Sequence, residues 1–282
     1  VARLETESQA LCIVNTKKRA QIIYKRLGKE GVYHLSTCMS PCHRKRVLAE
    51  IRKRLQDGER CIVISTSLVE AGVDLDFQSV YRQLAGVDSI IQAAGRCNRE
   101  GKRGVGESKT YIFQFVEKEY VPGQKQQIAV TKDLLEDEVD ISSLDSVSKY
   151  FRMLYHFRGE SLDKKDILGE FRKGRFPFAK VSREFKIIEE NTKTIFINRE
   201  QAADEILTRL KYEGFTKRLM RQAGQFCINV YDNEFQKLFA AGMLQEITED
   251  MKEDFFLLRT EEQYTEEMGL VLDVEFGRAV ML

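Results

Sequence analysis

The stretch Ala10–Gly28, ALCIVNTKKRAQIIYKRLG, contains the pattern that decides the fold. Its first six residues, ALCIVN, form a short apolar run, which is typical of a buried parallel strand. Apolar residues then recur at a helical period over Lys17–Lys29, and Gly28 and Gly31 end that pattern. The stretch therefore predicts a buried strand that is followed directly by an amphipathic helix.

The same alternation of strand and helix continues as far as Phe115. Ser40-Pro41 combines a capping serine with a proline at the first helical position, and it predicts a helix that runs to Gln56. Strands and helices that alternate at short intervals indicate a parallel sheet with helices on both faces. The further strands are predicted at Tyr33–Thr37, Arg60–Ser65, Val80–Leu84 and Lys109–Phe115.

The pattern changes beyond Val116. Two helices are predicted at Gln124–Glu138 and Ser142–Phe157, and from Phe176 onward short apolar strands mix with amphipathic helices. We therefore predict an α/β fold in three parts. A parallel-sheet domain occupies residues 1–120, a helical linker follows at 121–170, and a smaller α+β accessory domain occupies 171–282.

The formal net charge of +1 hides an asymmetry along the 282 residues. Up to Gly104 the chain has 19 Lys and Arg against 11 Asp and Glu, whereas the remainder has 26 against 33. This polarity indicates that an anionic partner, a nucleic acid or a nucleotide, meets the N-terminal part. The alternative is an ordinary solvated basic helix, for which the sequence KKRAQIIYKR is sufficient.

The composition favours a cytoplasmic protein. No apolar run approaches the ~20 residues that a membrane helix needs, and nothing resembles a signal peptide. The six cysteines have no even framework of close spacings, so we expect reduced thiols. Because the sequence opens at Val1 rather than at a methionine, we also expect a piece of a longer chain.

A second informative stretch is Asp88–Gly101, DSIIQAAGRCNREG, which we call the arginine segment. On a helix, Gln92, Arg96 and Arg99 share one face because they stand at i, i+4 and i+7, and Asp88 serves as the N-cap. Planar guanidinium groups suit bidentate recognition of phosphate oxygens. Two arginines on one helical face are equally compatible with a solvated surface.

Polar residues follow the predicted strands where each strand ends. Asn15-Thr16, Ser36-Thr37 and Ser65-Thr66 stand at three such ends, and the segment before Asp88 stands at a fourth. In a parallel α/β sheet, functional groups collect at the carboxyl ends of the strands. The sequence therefore predicts a site at this edge of the sheet.

Three stretches, in this order and at this spacing, resemble motifs IV, V and VI in the second RecA-like domain of superfamily-two helicases. They are VNTKKRAQ (Val14–Gln21), VISTSLVEAGVDLDF (Val63–Phe77) and QAAGRCNREG (Gln92–Gly101). HLSTCMSPCHR and VYRQLAGVDSIIQAAGRCNREG make the resemblance more specific, to the type I CRISPR-associated helicase-nuclease family. FPFAKVSREFKIIEENT and EEMGLVLD resemble that family's C-terminal domain, so the resemblance covers nearly the whole chain. It implies a RecA-like sheet domain in a protein that unwinds and degrades DNA opened by a guide-RNA surveillance complex.

The resemblance implies that the arginine segment faces ATP and Mg²⁺, held mainly by a first RecA-like domain outside this sequence. Arg96 and Arg99 would neutralise charge on the transferring γ-phosphate, which is worth roughly 10³ to 10⁵ in rate for an arginine finger. Gln92 would position the phosphate or the attacking water. Gly72 and Asp74 of the GVD segment would contact the nucleotide or orient an arginine, although Asp74 also suits an ordinary turn.

The resemblance also implies a track for the backbone of single-stranded DNA. Hydroxyl, amide and main-chain N–H groups bind phosphates without reading sequence. For Ser36 and Thr37 the alternative is a helix cap. For Glu70, three residues after Ser67, the alternative to coupling DNA with the nucleotide is a capping box. The implied nucleic-acid contacts are Asn15, Thr16, Thr37, Arg44, Thr66 and Glu70.

A complete motor needs motifs that these residues do not supply. Gly95–Lys102 imitates a phosphate-binding loop, but five residues separate its glycines and Arg103 follows the lysine. Asp137–Asp140, DEVD, imitates an acidic magnesium motif, but it follows a charged helical segment downstream of the arginine segment. No histidine is followed directly by an aspartate, so the HD nuclease domain and its metal ions are also expected elsewhere. We expect ATP-dependent DNA helicase activity only within a longer chain.

Two alternative functions stay open, and one apparent metal site is rejected. The rivals are a non-catalytic nucleic-acid-binding or regulatory lobe, and another superfamily-two motor such as an RNA helicase. The apparent metal site is a zinc site at Cys38, Cys42 and His43. These residues lack the paired spacing of four ligands, so no metal site is predicted. The expected partners are single-stranded DNA, the first RecA-like and HD domains of the same protein, and the CRISPR surveillance complex; the protein itself is expected to be a monomer.

Overall fold

The computed structural model describes residues 1–104, 106–117, 121, 123–137, 139–174, 176–185, 192–214, 216–247 and 255–273. The strands are β1 Gln9–Ile13, β2 Val32–Leu35, β3 Cys61–Ser65, β4 Ser79–Gln83, β5 Lys109–Phe113, β6 Thr192–Phe196, β7 Cys227–Tyr231, β8 Leu244–Glu246, β9 Phe255–Leu258, β10 Tyr264–Thr265 and β11 Gly269–Leu270. The α-helices are α1 Ala2–Glu5, α2 Lys17–Leu27, α3 Pro41–Gln56, α4 Val87–Ala94, α5 Lys125–Glu136, α6 Leu144–Arg158, α7 Ile167–Arg172, α8 Phe178–Glu184, α9 Gln201–Glu213, α10 Lys217–Ala223 and α11 Asp232–Ala240.

The first sheet consists of the five strands predicted in the N-terminal part of the sequence. Its order is β2-β3-β1-β4-β5, every pair is parallel, and Leu11 at its centre lies beside Val63 and Val80. Strands β1 and β3 are buried along their whole length, which explains why they are continuous apolar runs. The prediction of an α/β fold on a parallel sheet is confirmed.

Helices α2 and α3 pack against β2 and β3 and begin where capping residues predict. The Thr16 hydroxyl accepts a hydrogen bond from the Arg19 amide. The Ser40 hydroxyl, one residue before the helical proline, accepts one from the His43 amide. Helix α2 ends at Gly28, whose φ of 35° lies in the left-handed region. Local capping chemistry therefore places both helices next to the ends of β1 and β2.

Helix α4 is shorter than predicted, and this corrects the geometry of the arginine segment. It spans Val87–Ala94, so Asp88 lies in its first turn instead of at the N-cap. Arg96 and Arg99 lie beyond its end. The prediction that they share one helical face with Gln92 is wrong.

A non-local pairing explains why the helix stops. The Phe77 amide donates to the Arg96 carbonyl, and the Asn98 amide donates to the Phe77 carbonyl, both at 2.9 Å. Gly95 weakens the helix at this point, and the φ of 49° at Asn98 is incompatible with its continuation. Pairing with the segment before β4 therefore replaces the last predicted turns.

The chain divides into two compact units, one comprising Leu84–Ile91 and Phe115–Glu190, the other Val1–Gln83, Gln92–Gln114 and Asn191–Leu282. In the smaller unit α5 packs against α6, and Tyr150 and Leu154 of α6 are buried. The apolar pattern of the predicted helix Ser142–Phe157 also predicts a buried Tyr155. Tyr155 is exposed instead, because the buried side of α6 runs through positions four residues apart.

In the larger unit the C-terminal strands form a mixed sheet of order β7-β6-β9-β8. The short hairpin β10–β11 contacts the segment between β2 and α3, because the Leu270 amide donates to the Cys38 carbonyl at 2.8 Å. Gly269 has a φ of 68°, and a Cβ there would overlap that same carbonyl. The apolar run Phe185–Ile188 also predicts a strand. Phe185 follows α8 outside any strand, and 186–188 lie outside the described residues.

The division at 1–120, 121–170 and 171–282 stays a prediction. No helix within the described ranges is long and apolar enough to cross a membrane.

Candidate functional site

The loop that follows β3 is the centre of the candidate site. It covers Ser67–Asp76, begins with one 3₁₀ turn at Ser67–Val69, and contains the GVD segment. Thr66 precedes it and is buried at the end of β3. Gly72 has a φ of 72° and is exposed, with open space around the position of a Cβ. We call this stretch the motif V loop.

Arg96 is buried against the motif V loop. Its side chain is only 7% exposed, its Nε donates to the Val69 carbonyl at 3.0 Å, and its Nη2 donates to the Glu70 carbonyl at 2.8 Å. Burial, followed by the nearby charge of Arg99, lowers the pKa of Arg96. The guanidinium is therefore held in one orientation by two main-chain acceptors.

Arg99 lies at the surface of the same loop. Its Nε is 2.6 Å from Asp74 Oδ1, and the two side chains are 43% and 78% exposed. Its amide donates to Asp76 Oδ1 at 2.6 Å, and the other Asp76 oxygen is 2.9 Å from Arg103 Nη1. Asp76 thus fixes the main chain of the arginine segment, whereas Asp74 contacts the Arg99 guanidinium.

The remaining predicted nucleotide residue, Gln92, is exposed on α4. The structure thus places Arg96 and Arg99 against the motif V loop, where Arg99 meets Asp74. In the part of the chain that is described, no contact of the Gln92 side chain joins it to these residues. Gln92 shares only the helix that leads into the arginine segment.

The end of β1 approaches the end of β4. The Asn15 amide donates to Gln83 Oε1 at 2.9 Å, and Asn15 Oδ1 accepts from Arg82 Nη1 at 2.6 Å. Thr16, the next residue, caps α2 through its hydroxyl oxygen. Polar groups from the ends of β1 and β4 therefore meet at the carboxyl edge of the sheet.

Arg82 is a site residue that the sequence reasoning missed. It lies on β4, is fully buried, and its Nε is 2.9 Å from Glu70 Oε1. The same guanidinium contacts Asn15, so it joins two residues that had been singled out separately. The available signal was a charged residue inside VYRQ, a stretch otherwise predicted as a buried strand. The Glu70 carboxylate pairs with this arginine, a contact that the capping-box alternative does not include.

Thr37 and Arg44 lie at the end of β2 and on α3. Thr37 is exposed, whereas the Ser36 hydroxyl is buried and accepts from the Cys38 amide at 3.1 Å. Arg44 donates to the Met39 carbonyl at 2.7 Å, and burial lowers its pKa. No contact in the described ranges joins these two side chains to those of Asn15 and Thr66.

The cysteines at the start of α3 point to different surroundings. Cys38 packs into the core of the mixed sheet, the Cys42 thiol contacts Glu200, and the His43 ring hydrogen-bonds the Tyr264 hydroxyl at 2.8 Å. Among the residues that the structure describes, no three or more His, Cys, Asp or Glu side chains come together to hold a metal ion.

Comparison with known proteins shows what this chain is similar to. Residues 6–102 match the family model described as "CRISPR-associated nuclease/helicase Cas3, C-terminal". The CRISPR-associated nuclease/helicase Cas3 of Haloferax volcanii is 43% identical over 70 residues, which are 24% of this chain and 8% of the relative. The CRISPR-associated helicase Cas3 of Thermoproteus tenax is 31% identical over 142 residues, 48% of this chain and 23% of the relative. The chain thus spans less than a quarter of these relatives' length.

Solved structures extend the likeness to the whole fold. The crystal structure of T. fusca Cas3 with AMPPNP covers 95% of this chain and 38% of its own, with a TM-score of 0.58 and 18% identity. A structure described as a CRISPR RNA-guided surveillance complex, pre-nicking, covers 93% of this chain and 40% of its own at a TM-score of 0.55 and 18% identity. The resemblance predicted from the motifs is confirmed: the chain is similar to the C-terminal region of Cas3 helicase-nucleases.

Proposed function

We propose that this Cas3-related chain is the second RecA-like domain, with its accessory domain, of an ATP-dependent motor that moves along single-stranded DNA in CRISPR interference. One observation carries the proposal. The motif V loop contacts Arg96 and Arg99 and also, through Glu70 and Arg82, reaches Asn15. A single loop therefore adjoins the groups proposed for the nucleotide and a group proposed for DNA.

The nucleotide would meet Arg99 first. An exposed ion pair such as Asp74–Arg99 contributes little to stability in water, so a phosphate can take the place of the carboxylate. Arg96, fixed by two carbonyls, would add positive charge beneath it, while Gln92 would orient the phosphate or the attacking water. The exposed Gly72 lets a ligand approach the main chain.

A first RecA-like domain would hold Mg²⁺ and most of the triphosphate. Mg²⁺ takes carboxylates together with substrate phosphates, and the described residues offer no converging set of carboxylates. They do offer guanidinium groups, which suit phosphate oxygens. The chain therefore fits the phosphate end of the ligand, and the nuclease metals would belong to an HD domain.

Single-stranded DNA would follow the carboxyl edge of the sheet. Asn15 and Thr66 stand at the ends of β1 and β3, and Thr37 stands at the end of β2. A hydroxyl both accepts and donates, so the Thr16 group can cap α2 and also donate to a phosphate. Arg44 would add charge from α3, which makes the binding sensitive to salt.

A second candidate is a non-catalytic nucleic-acid-binding or regulatory lobe. The two carbonyl contacts of Arg96 favour it, because they give that arginine a structural role without any nucleotide. A superfamily-two RNA helicase is the third reading, since the arginine segment is common to that superfamily. In each case we propose a cytoplasmic monomer, and the Cas3 reading adds docking on a surveillance complex.

Two preparations separate these candidates: the 282 residues alone, and the same chain joined to a first RecA-like domain. We expect both to bind oligothymidine and only the second to hydrolyse ATP, with turnover that rises on addition of single-stranded DNA. DNA-stimulated hydrolysis by the chain alone contradicts the proposal. Absence of turnover in the joined protein favours the regulatory lobe, and greater stimulation by RNA than by DNA favours an RNA helicase.

A further inference from the structure

Arg82 sits in an unusual position for a charged residue. It belongs to β4, which pairs with β1 on one side and β5 on the other, and it has no solvent exposure. Its Nη1 donates to Asn15 Oδ1 at 2.6 Å and to the Gln83 carbonyl at 2.8 Å, and its Nε forms an ion pair with Glu70 Oε1 at 2.9 Å. We call these four residues the Arg82 network.

Packing alone does not account for an arginine here. A buried ion pair is often no more stabilising than apolar side chains of similar volume, because both charges must leave water. The neighbouring position Val80 shows that this strand accepts an apolar residue. What an arginine adds is a rigid fork of donors that holds several acceptors in a fixed relation.

The two ends of the Arg82 network lead to different ligand groups. The Glu70 carboxylate forms an ion pair with Arg82, and the Glu70 carbonyl accepts a hydrogen bond from Arg96 Nη2 at 2.8 Å. Asn15 gives its carboxamide oxygen to Arg82, which directs the amide hydrogens of the same group away from the guanidinium. The main-chain N–H of Asn15 donates to Gln83 Oε1. A displacement of Asn15 therefore reaches Glu70, which holds Arg96, through the single side chain of Arg82.

We propose that Arg82 is a positioning residue that transmits phosphate binding at Asn15 to the Val69 and Glu70 carbonyls, and so sets the placement of Arg96. The proposal rests on the proposed function, because it needs DNA at Asn15 and a nucleotide at the arginine segment. The interior around Arg82 is close-packed, so a shift of one acceptor is passed on rather than absorbed.

Amide hydrogen exchange of the motif V loop tests the proposal on the chain itself. Saturating oligothymidine should slow exchange of the Val69–Val73 amides by about fivefold or more in the unaltered protein. In R82K, which keeps the charge but loses the fork, and in N15A, which removes the other end of the contact, the same DNA should change exchange by less than about twofold. R209K is the matched control, since Arg209 is an exposed arginine that is paired with Glu213 and Gln222 on the accessory part.

The ratio of exchange with and without DNA is the decisive readout. A purely structural Arg82 alters exchange equally in both conditions and leaves that ratio unchanged. A full DNA response in R82K and N15A overturns the proposal. If R82K does not fold, N15A carries the test. If the unaltered chain binds oligothymidine but its loop does not respond, the network proposal alone fails; if it binds no DNA at all, the proposed function fails as well.

Discussion

Two ion pairs on the motif V loop differ in almost every respect except their length. Glu70–Arg82 is 2.9 Å long, with side chains that are 8% and 0% exposed. Asp74–Arg99, four residues further along, is 2.6 Å long, with side chains that are 78% and 43% exposed. The buried pair is costly to break because either partner alone leaves an uncompensated charge, whereas the exposed pair exchanges partners easily. We therefore propose that one half of this short loop serves stability and the other half serves ligand binding.

The largest effect on stability should come from breaking the buried pair. We expect R82M to lower the free energy of unfolding by about 3–5 kcal/mol, because Glu70 stays buried without its charge partner. Urea unfolding measures this loss. The double variant E70M/R82M should recover most of it, since no unpaired charge remains. A loss below about 1 kcal/mol in R82M would mean that the pair is not buried as described.

His34 extends the comparison to a buried group that titrates. It is 1% exposed, and burial, followed by the charge of His43, lowers its pKa from 6.5 to about 4. The folded pKa lies below the unfolded one. The stability linked to a neutral His34 is therefore fully present above pH 6.5 and is lost as the pH falls toward 4. We expect H34L to remove on the order of 2 kcal/mol of the loss between pH 7 and pH 4.5. Equal losses in H34L and the unaltered protein, measured by urea unfolding at both pH values, would contradict this.

A pair of glycines tests the difference between a packed and an open part of the molecule. Gly72 and Gly269 have φ values of 72° and 68°, but only at Gly269 would a Cβ overlap another atom, the Cys38 carbonyl oxygen. We expect G72A to cost about 1 kcal/mol from backbone strain, and G269A to cost more than about 2 kcal/mol because the hairpin must also move. Thermal unfolding of both variants measures the difference, and equal costs would show that the hairpin does not depend on this close approach.

The smallest effect on stability should come from the exposed pair. We expect D74A to change the free energy of unfolding by less than about 0.5 kcal/mol, since exposed ion pairs contribute little. Urea unfolding at low and high salt measures it. A change as large as that in R82M would place Asp74 in the structural half of the loop and remove the contrast between the two pairs.

The sequence predicted what is locally encoded. Ser40-Pro41 gave the start of α3 to the residue, and the apolar runs gave β1 and β3 within a residue or two. The end of α4 could not be predicted this way, because it depends on pairing with Phe77, which lies outside the helix in the sequence.

The site divides along the same line. Residue types at the strand ends indicated Asn15 and Thr16. The residues next to Thr16 in the sequence do not distinguish a helix cap from a phosphate contact. The structure shows that the cap is formed. Arg82 was missed because its value comes from Glu70 and Asn15, which are distant in the sequence and meet it only in the folded sheet.

The central claim, that the exposed half of the loop presents an arginine to a nucleotide, is tested most directly by R99A. The measurement is ATP turnover, in the chain joined to its first RecA-like domain, with saturating single-stranded DNA. R209A is the control, because Arg209 is also an exposed arginine in an ion pair. We predict that R99A lowers turnover by about 10³ while R209A does not, and that oligothymidine affinity stays within about threefold in both. Turnover in R99A equal to that in R209A would contradict the account.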